Sequence, residues 1–415
     1  MRRTRKAVFI LVGLFAAGLI SLLLAEGFLR LFPGFLPPER RQYMLVDLGN
    51  VGVKHPYIGH LHTPNARKRL SGPDYDVRLT TGAFGFRNPG PWPRRADLVV
   101  LGDSLVFGYG VPDQSAWPAI LDRSFPNLKV VNLGLVGAGA EQYLRVYRTF
   151  GEPLRPKLVI VGMFPGNDFW DAREFNEWLE EGAKGNYMAW RNYGHYSGTW
   201  KEQPVEAVKS FALRHSYLYN LVIAARSSQK TRRAGEPKIL RMKDGQEIRL
   251  LPSDFRSKTA GSRAGRPELG LTVEALAELR DRVHRSGGQI LVVLQPSKEE
   301  VYLPMLGEKV RDPSAELRPA LRKLGIEYLD LAPAFKREAK AGRTLFFGSD
   351  GHPNSEGYRL IAGEVTRYLA TLLGSAAFRS VLGLPIRPRL RPATWSAARG
   401  DRSHSASRGR RGGAQ

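Results

Sequence analysis

Short, uninterrupted apolar runs recur along the middle of the chain and alternate with segments of helical spacing. Runs of this kind suit strands of a parallel sheet that is covered on both faces. The predicted strands are residues 98–101, 130–133, 158–163 and 290–294 and the weaker run 326–331. Helices are predicted at residues 116–125, 141–150, 273–285, 314–324 and 355–373. The order predicts an open three-layer α/β/α sandwich with a mainly parallel sheet of about five strands, over residues 96–375.

A longer apolar run of nineteen residues without charge, AVFILVGLFAAGLISLLLA, occupies positions 7–25. As a helix it would be roughly 28 Å long, close to the ~30 Å hydrocarbon core of a bilayer. Residues 1–6, MRRTRK, carry four positive charges, which predicts that the N-terminus stays in the cytoplasm. We therefore predict a single-pass anchor in a bacterial cytoplasmic membrane, with the rest of the chain periplasmic or extracellular. A cleaved signal peptide is the alternative, although its apolar region is usually shorter and Leu-Leu-Ala is a poor cleavage site.

Three further segments flank or interrupt the alternating pattern. Residues 26–95 are rich in Pro and Gly and predict a juxtamembrane, partly β extension, here called the lead-in. Residues of about 170–270 form an insertion, in which 205–227 is predicted as one long helix and 228–266 is polar and poorly patterned. Residues 376–415 are poor in apolar side chains and rich in Arg, and predict a disordered basic tail.

The insertion is rich in tryptophan, including Trp170, Trp178 and Trp190. Aromatic side chains are natural in a second small core. They would equally suit a lid over the edge of the sheet that contacts a substrate. The prediction is a mixture of both, with these three residues as candidate substrate-binding side chains.

The net charge of +24 raises the question of nucleic-acid binding. Half of that excess lies on residues 1–6 and 376–415, and the chain has no nucleic-acid motif and no basic stripe interleaved with aromatics. We predict no nucleic-acid partner. The tail would be solvated or would touch an anionic polymer of the cell envelope. The chain has no cysteine, which excludes disulfides and thiolate metal sites.

Polar loops follow the predicted strands, where ligands of open α/β sheets bind. These loops carry Asp103-Ser104, the glycines around Gly137, Asn167-Asp168 and the segment from Asp350 to His352. Ser104 taken alone is as well explained as the cap of the next helix, because serine caps helices often. Four such loops meeting at one edge favour a functional site.

In this order the loops resemble the blocks of the SGNH/GDSL hydrolase superfamily. The segments that carry the resemblance are GDSLVFGYG, NLGLVGAG, GND and DGHPNSEGYRLIA. The resemblance covers roughly residues 96–375 without the insertion, and it implies an SGNH/flavodoxin-like sheet. The layout with an N-terminal anchor resembles membrane-bound bacterial members of unassigned substrate.

The resemblance implies a role for each matching residue. Ser104 would be the nucleophile, His352 its base and Asp350 the acid that orients the base. The oxyanion would be met by the backbone N–H groups of Ser104 and Gly137 and by the side-chain amide of Asn167. The family usually places the acid three residues before the histidine, where this chain has Ser349. Either a tighter loop brings Asp350 to His352, which we favour, or the pair works as a dyad with a backbone carbonyl as orienter.

The predicted function is a membrane-anchored serine esterase that deacylates an envelope glycan or lipid, acetyl being one candidate group. An O-acyltransferase to envelope polysaccharide and a non-catalytic envelope binding protein are the alternatives, since a fold alone does not prove activity. No cofactor is predicted. No metal site is predicted either: His60 and His62 lie two residues apart in the lead-in without a matching carboxylate cluster, so surface or packing roles are expected for them.

Overall fold

The central sheet of this protein has five parallel strands, in a computed structural model that describes residues 2–36, 52–192, 204–234, 237–250 and 266–374. In chain order the strands are β1 (Val53–His55), β2 (Gly59–Leu61), β3 (Arg67–Ser71), β4 (Asp76–Thr80), β5 (Leu98–Gly102), β6 (Val130–Gly134), β7 (Leu158–Met163), β8 (Lys238–Arg241), β9 (Glu247–Leu250), β10 (Gln289–Leu294) and β11 (Glu327–Asp330). The sheet order is β11-β10-β7-β5-β6. The first strand of the sheet, β5, therefore lies between the second and the third, which is the switch point where such sheets bind ligands.

Helices cover both faces of this sheet, and further helices lie in the N-terminal segment and in the insertion. They are α1 (Arg2–Leu31), α2 (Ser104–Phe107), α3 (Trp117–Ser124), α4 (Ala140–Val146), α5 (Asp168–Glu180), α6 (Tyr187–Asn192), α7 (Pro204–His215), α8 (Tyr217–Ala234), α9 (Arg266–Arg285), α10 (Lys298–Tyr302), α11 (Leu317–Lys323), α12 (Ala332–Lys340) and α13 (Ser355–Gly374). Short 3-10 turns lie at Pro33–Phe35, Asp113–Ser115, Glu152–Leu154 and Leu303–Leu306, and a π-turn lies at Tyr147–Gly151.

Alternate residues of each strand enter two separate cores. Val100 and Ile160 pack with α3, α12 and α13 on one face, whereas Val99 and Val161 pack with α4, α9 and α11 on the other. All five residues of β5 are buried. This double burial explains the uniformly apolar runs, and the three-layer sandwich predicted from them is confirmed.

The lead-in folds as two antiparallel hairpins, β1–β2 and β3–β4. Ile58 and Phe86 anchor it in the core beside α4. Its chain therefore passes close to the carboxyl edge of the sheet, where the candidate site lies.

Helix α1 is the one helix among the described residues that is long and apolar enough to cross a membrane, from Val8 to Leu31. Near its end the Glu26 carboxylate accepts the N–H groups of Tyr217 at 3.0 Å and Leu218 at 2.9 Å, and the hydroxyl of Ser216 at 2.9 Å. Glu26 thus caps the N-terminus of α8, although the two lie far apart in sequence.

The insertion differs from its prediction in two places. The helix predicted over residues 205–227 is two helices, α7 and α8, which break at Ser216 because Glu26 caps the second one there. The polar segment 228–266 contains the hairpin β8–β9, whose Ile248 and Leu250 are buried against the main core. The predicted disordered tail, residues 376–415, lies outside the described residues.

Candidate active site

Ser104 stands at a sharp turn between β5 and α2. A side chain at Gly102 would collide with Val106 and with the carbonyl of Gly162, so the strand can only end in glycine at this approach. Asp103 is the residue that caps α2, because its carboxylate accepts the N–H of Leu105 at 2.8 Å. The Ser104 hydroxyl is therefore not used as the cap of its helix.

The Ser104 hydroxyl faces His352. Oγ lies 2.8 Å from Nε2 of the imidazole, within hydrogen-bond distance. The Tyr109 ring stacks on the imidazole with centroids 4.7 Å apart and planes 30° apart. A longer contact of 3.4 Å joins Ser104 Oγ to the Asp103 carboxylate. The hydroxyl thus faces an imidazole that can act as its base. The stacked Tyr109 ring supports the orientation of that imidazole.

Asp350 reaches the other nitrogen of that imidazole, with Oδ1 2.6 Å from Nδ1. The same oxygen accepts the backbone N–H of His352 at 2.8 Å, which closes the loop into a tight turn. A carboxylate two residues before the histidine therefore contacts Nδ1 of His352. The sequence alone did not decide whether Asp350 could reach it. Ser104, His352 and Asp350 form one continuous line of hydrogen bonds.

Residues from two other segments hold this loop. Asp74 accepts the backbone N–H groups of Ser349 at 2.8 Å and Asp350 at 3.0 Å, and the hydroxyl of Tyr75 donates to Asp350 Oδ2 at 3.1 Å. The buried ammonium of Lys298 donates to the carbonyl oxygens of Gly348 at 2.6 Å and Asp350 at 3.2 Å. Asp74, Tyr75 and Lys298 were not singled out from the sequence, which marks none of them by a motif. Tyr109 was not singled out either, although it lies within the segment GDSLVFGYG.

The electrostatics favour an ionised Asp350. Burial alone would raise the pKa of this carboxyl, but attraction to His352 and the hydrogen bonds from His352 and Tyr75 outweigh burial and hold its pKa well below the usual range. The carboxylate therefore stays charged at neutral pH. A charged carboxylate beside Nδ1 favours the tautomer in which Nε2 is free to accept a proton.

The two further oxyanion candidates lie at the ends of the strands that flank β5. Gly137 is in the loop after β6, in left-handed backbone at φ +71°, and that loop is tied to the nucleophile strand by a hydrogen bond from Leu135 N–H to Gly102 O at 2.8 Å. Asn167 is the N-cap of α5, after β7, and its side-chain amide hydrogen-bonds to Asp103. The structure brings both loops to the same edge as Ser104.

Buried acids lie behind these loops. Burial and repulsion from Asp103 and Asp171 raise the pKa of Asp168 well above its usual range, and its carboxyl group accepts hydrogen bonds from Tyr143 and from the N–H of Phe164. Burial likewise raises the pKa of Asp171 to about 7 against the opposing charge of Arg191. Asp168 thus holds together the loop between β7 and α5.

Two tryptophans of the insertion, Trp178 and Trp190, are buried away from solvent. Trp178 and Trp190 are 0% and 1% exposed, and with Phe175 and Tyr187 they form a small core of their own. Their indole N–H groups donate to Lys184 O at 3.0 Å and to Glu181 at 2.7 Å. In this structure neither indole is accessible to a substrate. These two tryptophans belong to a small core. Trp170 differs, being 49% exposed with the Arg173 guanidinium 3.8 Å over its ring.

The insertion instead reaches the site through α6. Arg191 donates to the carbonyl of Gly137 at 2.9 Å and pairs with the carboxylates of Asp171 and Glu174. No group of three or more His, Asp or Glu side chains with metal-site geometry occurs within the part of the chain that the structure describes.

The chain is similar to several solved structures and matches one protein family. Among solved structures, similar ones include a lipolytic G-D-S-L protein from Veillonella parvula (14% identity, 66% of this chain and 97% of that chain, TM-score 0.34) and an acetyl xylan esterase (9%, 66% and 99%, TM-score 0.36). No curated protein matches the chain. The GDSL-like Lipase/Acylhydrolase family matches residues 100–360, well over half of the sequence. The chain therefore belongs to the GDSL-like lipase/acylhydrolase family and is a serine hydrolase of ester bonds.

Proposed function

We propose that this protein is anchored in the bacterial cytoplasmic membrane by α1 and removes acyl groups from an ester-bearing glycan or lipid of the cell envelope. The observation that carries the proposal is the continuous hydrogen-bonded line from Ser104 through His352 to Asp350. A serine hydroxyl is a weak nucleophile without a base, and the contacts of His352 with Ser104 and Asp350 support its role as base and that of Asp350 as orienting acid.

The chemistry follows from the proton positions. Ser104 Oγ attacks the ester carbonyl carbon while His352 Nε2 takes the hydroxyl proton. The tetrahedral intermediate then expels the alcohol, which receives that proton from the imidazolium. Water attacks the resulting acyl-enzyme by the same route, and its proton passes through His352 to Ser104 as the acid leaves. Asp350 remains ionised throughout and stabilises the imidazolium.

Charge on the intermediate is placed on the former carbonyl oxygen. The N–H groups of Ser104 and Gly137 and the amide of Asn167 are the donors proposed for it. The amide nitrogen carries two protons. The Asp103 carboxylate holds the amide group in place, and one N–H is left for the oxyanion. Loss of one such donor costs about 2.7–4 kcal/mol of transition-state stabilisation.

The location rests on α1 and the charges before it. A helix from Val8 to Leu31 is long enough to span, and four positive charges precede it. The proposed orientation has the N-terminus inside and the catalytic residues outside, where acylated envelope glycans and lipids are the available substrates.

The test is active-site labelling of the full chain in membranes with a fluorophosphonate probe, together with hydrolysis of a short aryl ester. Wild-type protein should be labelled at Ser104 and release acid, and Ser104→Ala should lose labelling and lower the rate by roughly 10⁴ or more. Ser124→Ala removes a helix-surface serine and serves as the matched control. Equal activity in wild type and Ser104→Ala would refute the proposal.

Product analysis with an added oligosaccharide separates hydrolysis from acyl transfer. Free acid as the main product supports the esterase. Acylated oligosaccharide formed faster than free acid would replace it by a transferase that uses the same residues.

A further inference from the structure

Side chains from outside the sheet hold three of the four backbone polar groups of Val136 and Gly137, in the loop after β6. The N–H of Val136 donates to His62 Nε2 at 3.3 Å, the carbonyl of Val136 lies 3.0 Å from His60 Nε2, and the carbonyl of Gly137 accepts from Arg191 at 2.9 Å. The N–H of Gly137 makes no hydrogen bond to any other residue that the structure describes. The one donor left open in this loop is thus surrounded by groups whose positions are fixed.

The directions of these hydrogen bonds assign the two histidine tautomers. A carbonyl oxygen only accepts, so His60 must carry its proton on Nε2. A backbone N–H only donates, so His62 must be unprotonated on Nε2. Burial lowers the pKa of His60 to about 4 and that of His62 to about 3, so both rings are neutral at physiological pH. The pair therefore clamps the loop without adding charge to it.

The carbonyl of Val136 and the N–H of Gly137 belong to the same peptide. In a planar trans peptide these two groups point in opposite directions. A donor fixed on the oxygen consequently fixes the direction of the N–H. It also polarises the peptide, because hydrogen bonds in a chain strengthen one another.

We propose that His60 is a positioning residue that holds the Val136–Gly137 peptide so that the Gly137 N–H faces the oxyanion formed at Ser104. This inference rests on the proposed esterase mechanism. It goes beyond the family blocks, because His60 lies in the lead-in, before the matched residues 100–360.

The surroundings of His60 favour this role over packing alone. The ring is 1% exposed, and its Nδ1 is buried without a hydrogen-bond partner among the residues that the structure describes. An unpaired buried polar atom costs roughly 1–3 kcal/mol, which an apolar side chain would avoid. The single hydrogen bond that the ring makes is the one to Val136, so the benefit of an imidazole must come through that peptide.

The catalytic test compares His60→Phe, which fills the space without a donor, with His60→Gln, which offers an amide N–H to the same carbonyl. In the full-length protein, His60→Phe should lower kcat about 10- to 100-fold with KM unchanged within about twofold, because the interaction acts on the transition state. Affinity for an aryl boronic acid, which forms a tetrahedral adduct on serine, should fall by a similar factor. His60→Gln should recover most of both.

His55→Phe is the matched control, since it makes the same exchange in the lead-in. The His55 ring accepts the N–H groups of Tyr57 and Ile58 and does not touch the Gly137 loop. It should leave the ratio of boronic-acid affinity to KM unchanged, even if the melting temperature falls.

A second readout does not depend on activity. Labelling with 1-¹³C-valine and ¹⁵N-glycine reports only four peptides in this chain, Val12-Gly13, Val51-Gly52, Val136-Gly137 and Val161-Gly162. The Val136-Gly137 signal is assigned by its loss in Val136→Ile. His60→Phe should shift its carbonyl and amide resonances, and His60→Gln should shift them less.

The outcomes separate the two proposals. Wild-type kinetics and an unmoved signal in a folded His60→Phe protein would overturn the role of His60. A moved signal with unchanged kcat and boronic-acid affinity would also overturn it, because the hydrogen bond would then be structural only. A wild-type protein that neither hydrolyses esters nor labels at Ser104 overturns the esterase proposal and the oxyanion role with it, whatever the signal does.

Discussion

At the scale of single residues, the site depends on where one carboxylate lies. The family spacing would put the acid at position 349, but here Asp350 makes the contact with His352. The loop around it is held from outside by Asp74, Tyr75 and Lys298. The contacts that set the position of the acid thus come from residues remote in sequence, and no local motif reveals them.

Asp350→Asn should lower kcat by roughly 10³–10⁴-fold, because the amide no longer stabilises the imidazolium or its tautomer. Moving the acid upstream, in the double variant Ser349→Asp/Asp350→Ser, should not restore the rate. The backbone N–H of residue 349 is bound to the Asp74 carboxylate, and a second carboxylate there would be repelled by it. Ester hydrolysis by the two variants and the wild type is the measurement.

Recovery to within tenfold of wild type in the double variant would contradict this prediction. It would show that the loop can present the acid from either position. Asp281→Asn, on an exposed helix surface, is the control for a generic change of charge.

At the scale of elements, the pattern of apolar residues predicted the strands of the sheet but did not predict the elements of the insertion. Strands β5, β6, β7 and β10 coincide closely with the predicted runs, because both faces of each strand are buried. The hairpin β8–β9 was missed because half of its residues, Lys238, Arg241, Glu247 and Arg249, are charged. The break between α7 and α8 was missed because its cause, Glu26, lies in another helix.

The candidate site shows the same division. Ser104, Gly137, Asn167, Asp350 and His352 stand in local motifs at strand ends, so sequence reasoning selected them. Trp178 and Trp190 do not stand in a motif at a strand end. The number of aromatic residues in the insertion could not decide whether they form a small core or a lid. The supports at His60, Asp74 and Lys298 act through backbone groups of distant loops, which no pattern of side chains records.

The contact between α5 and α6 predicts a pH dependence of stability. Burial raises the pKa of Asp171 to about 7, opposed by Arg191 and reinforced by Asp103 and Glu174. The unfolded chain releases this proton near pH 4. Between about pH 4 and pH 7 the folded protein binds more protons than the unfolded one, so the free energy of unfolding falls as pH rises.

Asp171→Asn removes that proton equilibrium and should flatten the decline in this pH window. In this variant Arg191 still pairs with Glu174 at 2.7 Å. Because the pKa of Asp168 is also raised, the free energy of unfolding should still decline slightly as pH rises. The measurement is the free energy of unfolding at a series of pH values. Slopes that are equal in Asp171→Asn and wild type would show that Asp171 is ionised in the folded protein throughout.

At the scale of the whole molecule, the absence of cysteine allows the proposed orientation to be tested directly. In intact spheroplasts a membrane-impermeant maleimide should label Ser286→Cys, on the exposed end of α9. It should label Thr4→Cys, which keeps all four N-terminal positive charges, only after permeabilisation. The unmodified chain is the control for background labelling.

Labelling of Thr4→Cys in intact cells would reverse the topology. Release of the labelled Ser286→Cys protein into the soluble fraction, with the mass of a chain that lacks its N-terminal helix, would replace the anchor by a cleaved signal peptide. Either result would leave the family and the fold unchanged.

The cap that Glu26 places on α8 joins α1, the proposed anchor, to the insertion at a point far along the chain. A chain joined to its membrane helix at one point can sample many heights and tilts above the bilayer. Here the carboxylate holds Ser216, Tyr217 and Leu218, and the Arg30 guanidinium donates to His215 O at 2.7 Å. With α1 as the proposed anchor, this contact would tie the insertion helix α8 to the membrane-spanning segment. The position of α8 relative to the bilayer would then be set by side chains and not only by the length of chain between the two helices.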